Sequence, residues 1–158
     1  MLFQWMKNRR RRKLASEPFP SAWLEIIHSN CRHFATLDTG EQSRFLRDIR
    51  WFVAEKSIEV SIGLVLTDEM RVTVAAHASL LGLGFPDPPF DRLQSVILQP
   101  EVYVGTRIVR DKSGLELHFQ DARIGETSRN GPVLLSWKDV VRQCRDSPDG
   151  RNVILHEF

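Results

Sequence analysis

The residues whose types and spacing most clearly suggest catalysis are the tripeptide His156-Glu157-Phe158. In the pattern H-E-x-x-H on a helix, two histidines four residues apart lie on one face and bind zinc, and the Glu accepts a proton from the attacking water. His156 and Glu157 match the first two positions of this pattern. An exposed helix end can carry the same two residues, so the pair alone leaves both interpretations open.

The other histidines and the cysteines favour structural roles. His28 and His33 are five positions apart, which is not the spacing that places two side chains on one helix face. His77 lies in an apolar helical segment, where a hydrogen-bonded core histidine is favoured over a metal ligand. Cys31 and Cys144 are far apart and form no C-x-x-C motif, which suits a protein of the reducing cytoplasm.

Composition predicts one soluble globular domain. The chain has 158 residues, 42% of them hydrophobic and 27% charged, and is long enough to bury a core. The longest uncharged stretch, residues 72–86, contains two glycines and a proline. It is shorter than the roughly 20 apolar residues that a transmembrane helix needs. The sequence therefore predicts no transmembrane segment.

Positive charge is concentrated in one short segment. Six Lys or Arg residues lie within residues 7–13, and the rest of the chain is net acidic. We therefore predict that residues 1–20 form a basic, disordered and solvated arm. One alternative is attachment to a membrane surface, because the cations follow apolar residues: Leu2, Phe3, Trp5 and Met6. The other is non-specific contact of Lys7–Lys13 with nucleic-acid phosphates.

The elements that would position the tripeptide begin with helices. Apolar residues at helical spacing predict a helix from Ser21 to Phe34, capped by Ser21. A second helix follows, with Thr39 and Gln42 as its capping box. Alternation of apolar residues over 58–67 predicts a strand. Thr67 then caps a third helix, residues 70–83, which is apolar on nearly every face and is expected to be central and buried.

The second half of the chain has mainly strand patterns. Strands are predicted over 93–98, 102–109 and 115–120, followed by a polar loop from 121 to 131 and a short apolar strand from 132 to 135. Ser136 is placed to cap a helix with buried Val140 and Cys144. A last helix begins after Asn152 and carries His156.

Three stretches of the chain, in this order, resemble the Mlc titration factor A family of zinc-dependent metallopeptidases: Thr67–Ala76, Gly131–Trp137 and Asn152–Phe158. The resemblance covers most of residues 21–158. Three stretches that match in the same order and at compatible spacing identify a family far more specifically than any one stretch does. In the family, the third stretch resembles the start of the peptidase helix, which continues with Ala and a second His.

This resemblance implies an α+β fold in which a mixed sheet packs with helices. Residues 21–158 would be the N-terminal part of a zincin-like metallopeptidase domain, ending within the active-site helix. By the same resemblance, His156 is the first ligand of a Zn²⁺ cofactor and Glu157 is the catalytic acid/base. The family's second His and its distal Glu ligand would lie beyond Phe158.

The resemblance also implies a function for the complete protein. That function is aminopeptidase-like hydrolysis of peptides, with the fragment itself inactive. The alternative is a non-catalytic module that binds a protein, since the family is known for binding the transcriptional repressor Mlc.

The short strand before the active-site helix is a candidate for substrate binding. In zincin-like folds such a strand often pairs with an extended peptide through main-chain hydrogen bonds. Val133, Leu134 and Leu135 would form this edge. An internal core strand is the alternative for the same residues.

Overall fold

The computed structural model describes much of the chain in an α+β arrangement. For residues 103–110, 116–123 and 125–127 only the course of the backbone is described. The described residues are 2–86, 90, 93, 95–101, 103–110, 116–123, 125–127 and 132–146. Within these residues, no helix combines the length and the apolar character needed to cross a bilayer.

The helices dominate the first half of the chain. Their bounds are α1 Leu2–Ser16, α2 Ser21–Asn30, a short 3-10 helix Arg32–Thr36, α3 Thr39–Glu55, α4 Asp68–Gly82 and α5 Trp137–Asp146. Helix α4 packs against both α2 and α3. Its residues Val72, Val74, Ala75 and Ala78 are fully buried, which confirms the prediction of a central helix.

The strands form a four-stranded mixed sheet and a separate hairpin. Their bounds are β1 Ser57–Val60, β2 Ser95–Gln99, β3 Tyr103–Arg110, β4 Glu116–Arg123, β5 Gly125–Thr127 and β6 Val133–Ser136. The sheet has the order β1-β2-β6-β5, with β1, β2 and β6 parallel and β5 antiparallel to β6. Strands β3 and β4 form the antiparallel hairpin. The predicted mixed sheet with helices is confirmed.

The starts of α3 and α4 follow local hydrogen-bond chemistry, whereas α2 follows Pro20 without a side-chain cap, so the prediction of Ser21 as its cap was wrong. The Met70 amide donates to Thr67 Oγ1 at 3.3 Å, which confirms Thr67 as the cap of α4. The capping box of α3 lies one residue earlier than predicted: the Glu41 amide donates to Asp38 Oδ1 at 2.8 Å, and the Asp38 amide donates to Glu41 Oε2 at 3.0 Å. A carboxylate is the better acceptor at the positive end of a helix, so Asp38 displaces the Thr39 hydroxyl.

Two predicted segments differ in extent from the observed elements. Strand β1 ends at Val60 although alternation continues to residue 67, because Gly63 adopts a positive φ of 99° and turns the chain. The predicted polar loop 121–131 instead contains the end of β4 and all of β5. Strand β5 exists because it pairs with β6, a partner that local sequence does not reveal.

The predicted disordered arm is a helix along most of its length, and α1 is anchored on α3. Arg11 donates two hydrogen bonds to Glu55, from Nε at 2.5 Å and from Nη2 at 2.7 Å. The Arg11 guanidinium also stacks 4.4 Å from the ring of Trp51, and Lys7 Nζ lies 3.7 Å from Glu55. The prediction of disorder was wrong because a bidentate ion pair and a cation–π contact offset the mutual repulsion of the arm's cations.

Glu55 accepts the ion pairs that help to hold α1 on α3. Its side chain is only 15% exposed. Burial alone would raise the pKa of Glu55, but the hydrogen bond and charge of Arg11, with the charges of Lys7 and Lys56, hold it below its ordinary value. The carboxylate is therefore ionised at neutral pH and complements the helix.

We expect Glu55→Gln to loosen α1 without unfolding the rest of the protein. Loss of the charged partner should weaken the docking, and trypsin should then cleave within the Arg-rich segment about tenfold faster. Glu25, exposed on α2, supplies the matched control Glu25→Gln. Gel electrophoresis measures the cleavage rates. Equal rates in the two variants would show that Glu55 does not anchor the helix.

Candidate functional site

The two residues with the sharpest predicted chemistry, His156 and Glu157, lie outside the described residues, as does the predicted helix that carries them. Their roles stay predictions. The structure does describe the elements that directly precede them along the chain, namely β6 and α5.

The junction between β6 and α5 is held by a buried polar cap. The Ser136 hydroxyl donates to Asp139 Oδ2 at 2.7 Å and accepts from the Asp139 amide at 3.3 Å, which confirms Ser136 as the predicted cap. Arg142 Nη2 donates to Asp139 Oδ1 at 2.7 Å. Val140 and Cys144 are buried on the inner face of α5. The cap and the buried face fix the direction in which the chain leaves the sheet.

Strand β6 is internal to the sheet. On one side Val133 and Leu135 are in register with Val96 and Leu98 of β2, and on the other side they pair with β5. The sequence left two alternatives for Val133, Leu134 and Leu135, a substrate-binding edge or an internal strand. In the structure these residues form an internal strand. The edge assignment needs this correction because β5 covers the side on which a substrate strand would pair. Among the described strands, β5 is the outermost on that side.

A buried polar cluster connects α2, α4 and α5. Asn30 Nδ2 donates to Thr73 Oγ1 at 2.9 Å and to Glu69 Oε1 at 3.1 Å. His77 Nε2 lies 2.9 Å from the Asn30 carbonyl oxygen and 3.0 Å from Cys144 Sγ. These contacts join three helices through side chains that are far apart in sequence.

The geometry at His77 determines its chemical state. A carbonyl oxygen can only accept, so Nε2 carries a hydrogen and donates it to Asn30. A protonated ring nitrogen has no lone pair for a metal. His77 is 3% exposed, and burial lowers its pKa despite the Asn30 contact. His77 is thus a neutral, hydrogen-bonded core histidine, as the sequence predicts.

The two cysteines of this region are inert thiols. Both are free and buried. Burial raises the pKa of Cys31 to about 11, and burial together with the nearby Cys31 raises the pKa of Cys144 to about 12. Thiols in this state are poor nucleophiles at neutral pH.

The described side chains do not form a metal centre by themselves. A catalytic zinc site uses three protein ligands and an open position. No group of three or more His, Cys, Asp or Glu residues converges within the described residues. A metal centre made only of these residues does not fit.

The sequence pattern missed the partners within the buried polar cluster. Asn30 lies three residues after Ile27 on the apolar stripe of α2, which is the one local signal that its side chain is buried. Thr73 and Cys144 carry no signal that they face Asn30 and His77. Their contacts depend on how α4 and α5 pack, and this is a tertiary property.

We expect His77 to make stability fall on acidification. The ordinary His pKa is about 6.5, and the folded-state pKa is lower, so the folded state binds fewer protons. The stabilisation is complete above about pH 6.5 and is lost as the pH falls toward the folded-state pKa. Urea unfolding of His77→Gln should therefore depend less on pH than that of the wild type. The exposed His28→Gln is the control, and parallel pH profiles for all three proteins would contradict the assignment.

Comparison with known proteins gives one family model and several relatives that agree with one another. A sequence model of the family described as Glucose-regulated metallo-peptidase M90 matches residues 5–158. The uncharacterized protein slr2042 of Synechocystis sp. is 29% identical over 151 residues, covering 94% of this chain and 54% of the relative. Mlc titration factor A of Edwardsiella ictaluri is 33% identical over 129 residues, covering 78% of this chain and 46% of the relative.

A further Mlc titration factor A, from Serratia proteamaculans, is 31% identical over 123 residues and covers 77% of this chain and 45% of the relative. The chain therefore spans about half the length of the curated relatives it matches. The family match runs through all three stretches on which the predicted resemblance rests, and it confirms that resemblance. The chain belongs to the glucose-regulated metallo-peptidase M90 family.

Proposed function

We propose that the complete protein is a zinc-dependent peptidase in which His156 binds the metal and Glu157 is the catalytic acid/base. The observation that carries this proposal is the metallo-peptidase family match, which extends through residue 158 and so includes both side chains. The residue types support it, because an imidazole and an adjacent carboxylate on a helix are the start of a zinc-peptidase pattern.

The ligand set that we propose lies outside the buried polar cluster. Among the described residues no group of three or more His, Cys, Asp or Glu side chains converges, and Nε2 of His77 is engaged with the Asn30 carbonyl oxygen. His156 would therefore act with ligands of the complete protein. When bound, zinc would supply Lewis-acid polarisation of the peptide carbonyl and the water.

Glu157 would perform the proton transfers. Its carboxylate would accept a proton from the attacking water and deliver it to the amine that leaves when the peptide bond breaks. This role needs an ionised carboxylate that does not bind the metal itself. Glu157, directly beside His156 in the chain, has the residue type and the position for it.

The substrate class we propose is an extended peptide, cleaved in an aminopeptidase-like manner. The position of β5 as the outermost described strand on that side of the sheet supports main-chain recognition. A peptide that pairs with a strand edge is bound by its backbone, which leaves side-chain preferences to neighbouring pockets. The substrate-binding role predicted for residues 133–135 would then pass to Gly125–Thr127.

A second candidate is a binding module without catalysis. The name Mlc titration factor A, carried by several relatives, favours it. In this alternative the protein binds a transcriptional repressor. A cytoplasmic location suits both candidates, because Cys31 and Cys144 are free thiols.

Substitutions at residues 156 and 157 of the complete protein test the two candidates. Peptide hydrolysis, bound zinc and repressor binding are measured on the same preparations. Hydrolysis that depends on both residues supports the peptidase. A wild type that binds the repressor but neither holds zinc nor hydrolyses peptides supports the binding module.

A further inference from the structure

Helix α1 has two faces with different surroundings. The inner face carries Lys7, Arg11 and Leu14, which are partly buried against α3. Lys7 and Arg11 pair with Glu55, and the Leu14 carbonyl accepts a hydrogen bond from Arg50. These contacts determine the orientation of the helix, and hence which side chains it presents outward.

The outer face combines bulky apolar side chains with cations. Trp5 and Met6 are each 58% exposed. Arg9, Arg12 and Lys13 are exposed as well. With about 3.6 residues per turn, all five side chains lie within roughly one third of the helix circumference. None of the three cations pairs with a carboxylate among the described residues, although Arg9 lies over the ring of Trp5 at 5.5 Å.

A groove with an apolar floor borders this face. It measures about 480 Å³ and lies between α1 and the end of α3. Phe3, Met6 and Ala54 supply its apolar surface, and the exposed Arg10 supplies positive charge. Phe3 is 83% exposed, an unusual state for an aromatic side chain beside a protein surface.

We propose that the outer face of α1 docks on the surface of a membrane that contains anionic phospholipids. The inference goes beyond the peptidase function and does not depend on it. The lipid phosphates would pair with Arg9, Arg12 and Lys13, and Trp5 and Met6 would enter the boundary between headgroups and acyl chains. The ion pairs of Glu55 with Arg11 and Lys7 neutralise the negative charge that lines the groove and would otherwise repel the lipids.

The apolar side chains favour a membrane over a nucleic acid as the partner. Binding to nucleic-acid phosphates needs cations alone and gains little from Met6 or Phe3. An interfacial helix, in contrast, needs apolar side chains on the same face as its cations, because each group contributes separately to binding. Helix α1 has both, and its docking on α3 leaves both exposed.

Flotation of the intact protein with vesicles tests the proposal. We expect binding to phosphatidylcholine vesicles that contain phosphatidylglycerol, weak binding to phosphatidylcholine alone, and release by added salt. The variant Arg9→Gln/Arg12→Gln/Lys13→Gln should bind about a hundredfold more weakly, since each basic residue contributes a factor of about five. Trp5→Ala/Met6→Ala should bind about tenfold more weakly at every salt concentration.

A matched control removes three exposed cations from another helix. Lys138→Gln/Arg142→Gln/Arg145→Gln on α5 has the same net charge as the first triple variant and should bind as the wild type does. Circular dichroism checks that both fold. Equal losses in the two triple variants would overturn the proposal, because net charge would then explain the binding. Tighter binding to duplex DNA than to anionic vesicles, with no effect of Trp5→Ala/Met6→Ala, would also overturn it.

Discussion

Glu157→Gln in the complete protein is expected to lower peptidase activity by about 10²–10⁴-fold while the zinc content stays at the wild-type level. Glutamine has nearly the same size as glutamate but cannot accept a proton from water. Because Glu157 is proposed as a base rather than a ligand, the metal is expected to remain. Hydrolysis of a peptide substrate and metal analysis of the same sample measure the two effects separately.

His156→Ala provides the contrast. Removing a ligand should abolish both activity and bound zinc, since a catalytic site with three protein ligands then retains two. The pair of variants therefore separates the two roles, which activity alone does not. Near-normal hydrolysis by Glu157→Gln would show that another group is the base. Full zinc retention by His156→Ala would place the metal elsewhere.

Phe45→Ala is expected to cause the largest loss of stability in the described part of the protein, about 3–5 kcal/mol. Phe45 lies on α3 and is completely buried, and its ring lies 5.4 Å from that of Phe34. The substitution removes the ring and leaves a cavity that rigid helices fill only in part. Equilibrium urea denaturation at neutral pH measures the change in the free energy of unfolding.

Phe85→Ala is the matched control for this experiment. The Phe85 side chain is 51% exposed, so its removal should change the free energy of unfolding by less than about 1 kcal/mol. A loss at Phe45 no larger than that at Phe85 would contradict the placement of Phe45 in the core. Such a result would also question the packing of α3 on the short 3-10 helix.

Features that depend on neighbouring residues were determined by the sequence itself. Thr67 and Ser136 cap the helices predicted for them because a hydroxyl three residues before a free amide needs only local geometry. The buried helix α4 followed from apolar residues on nearly every face, and β2 and β6 followed from short apolar runs. The family resemblance likewise rested on three local stretches.

Features that depend on contacts between distant segments were decided by the tertiary structure. Helix α1 is ordered because Arg11 meets Glu55, which is 44 residues away. Strand β5 forms because β6 offers it a hydrogen-bonding side, and this makes β6 internal rather than an edge. His77 meets Cys144 across 67 residues. A local pattern indicates which side chains will be buried or hydrogen-bonded. The identity of the partner is determined only when packing brings distant elements together.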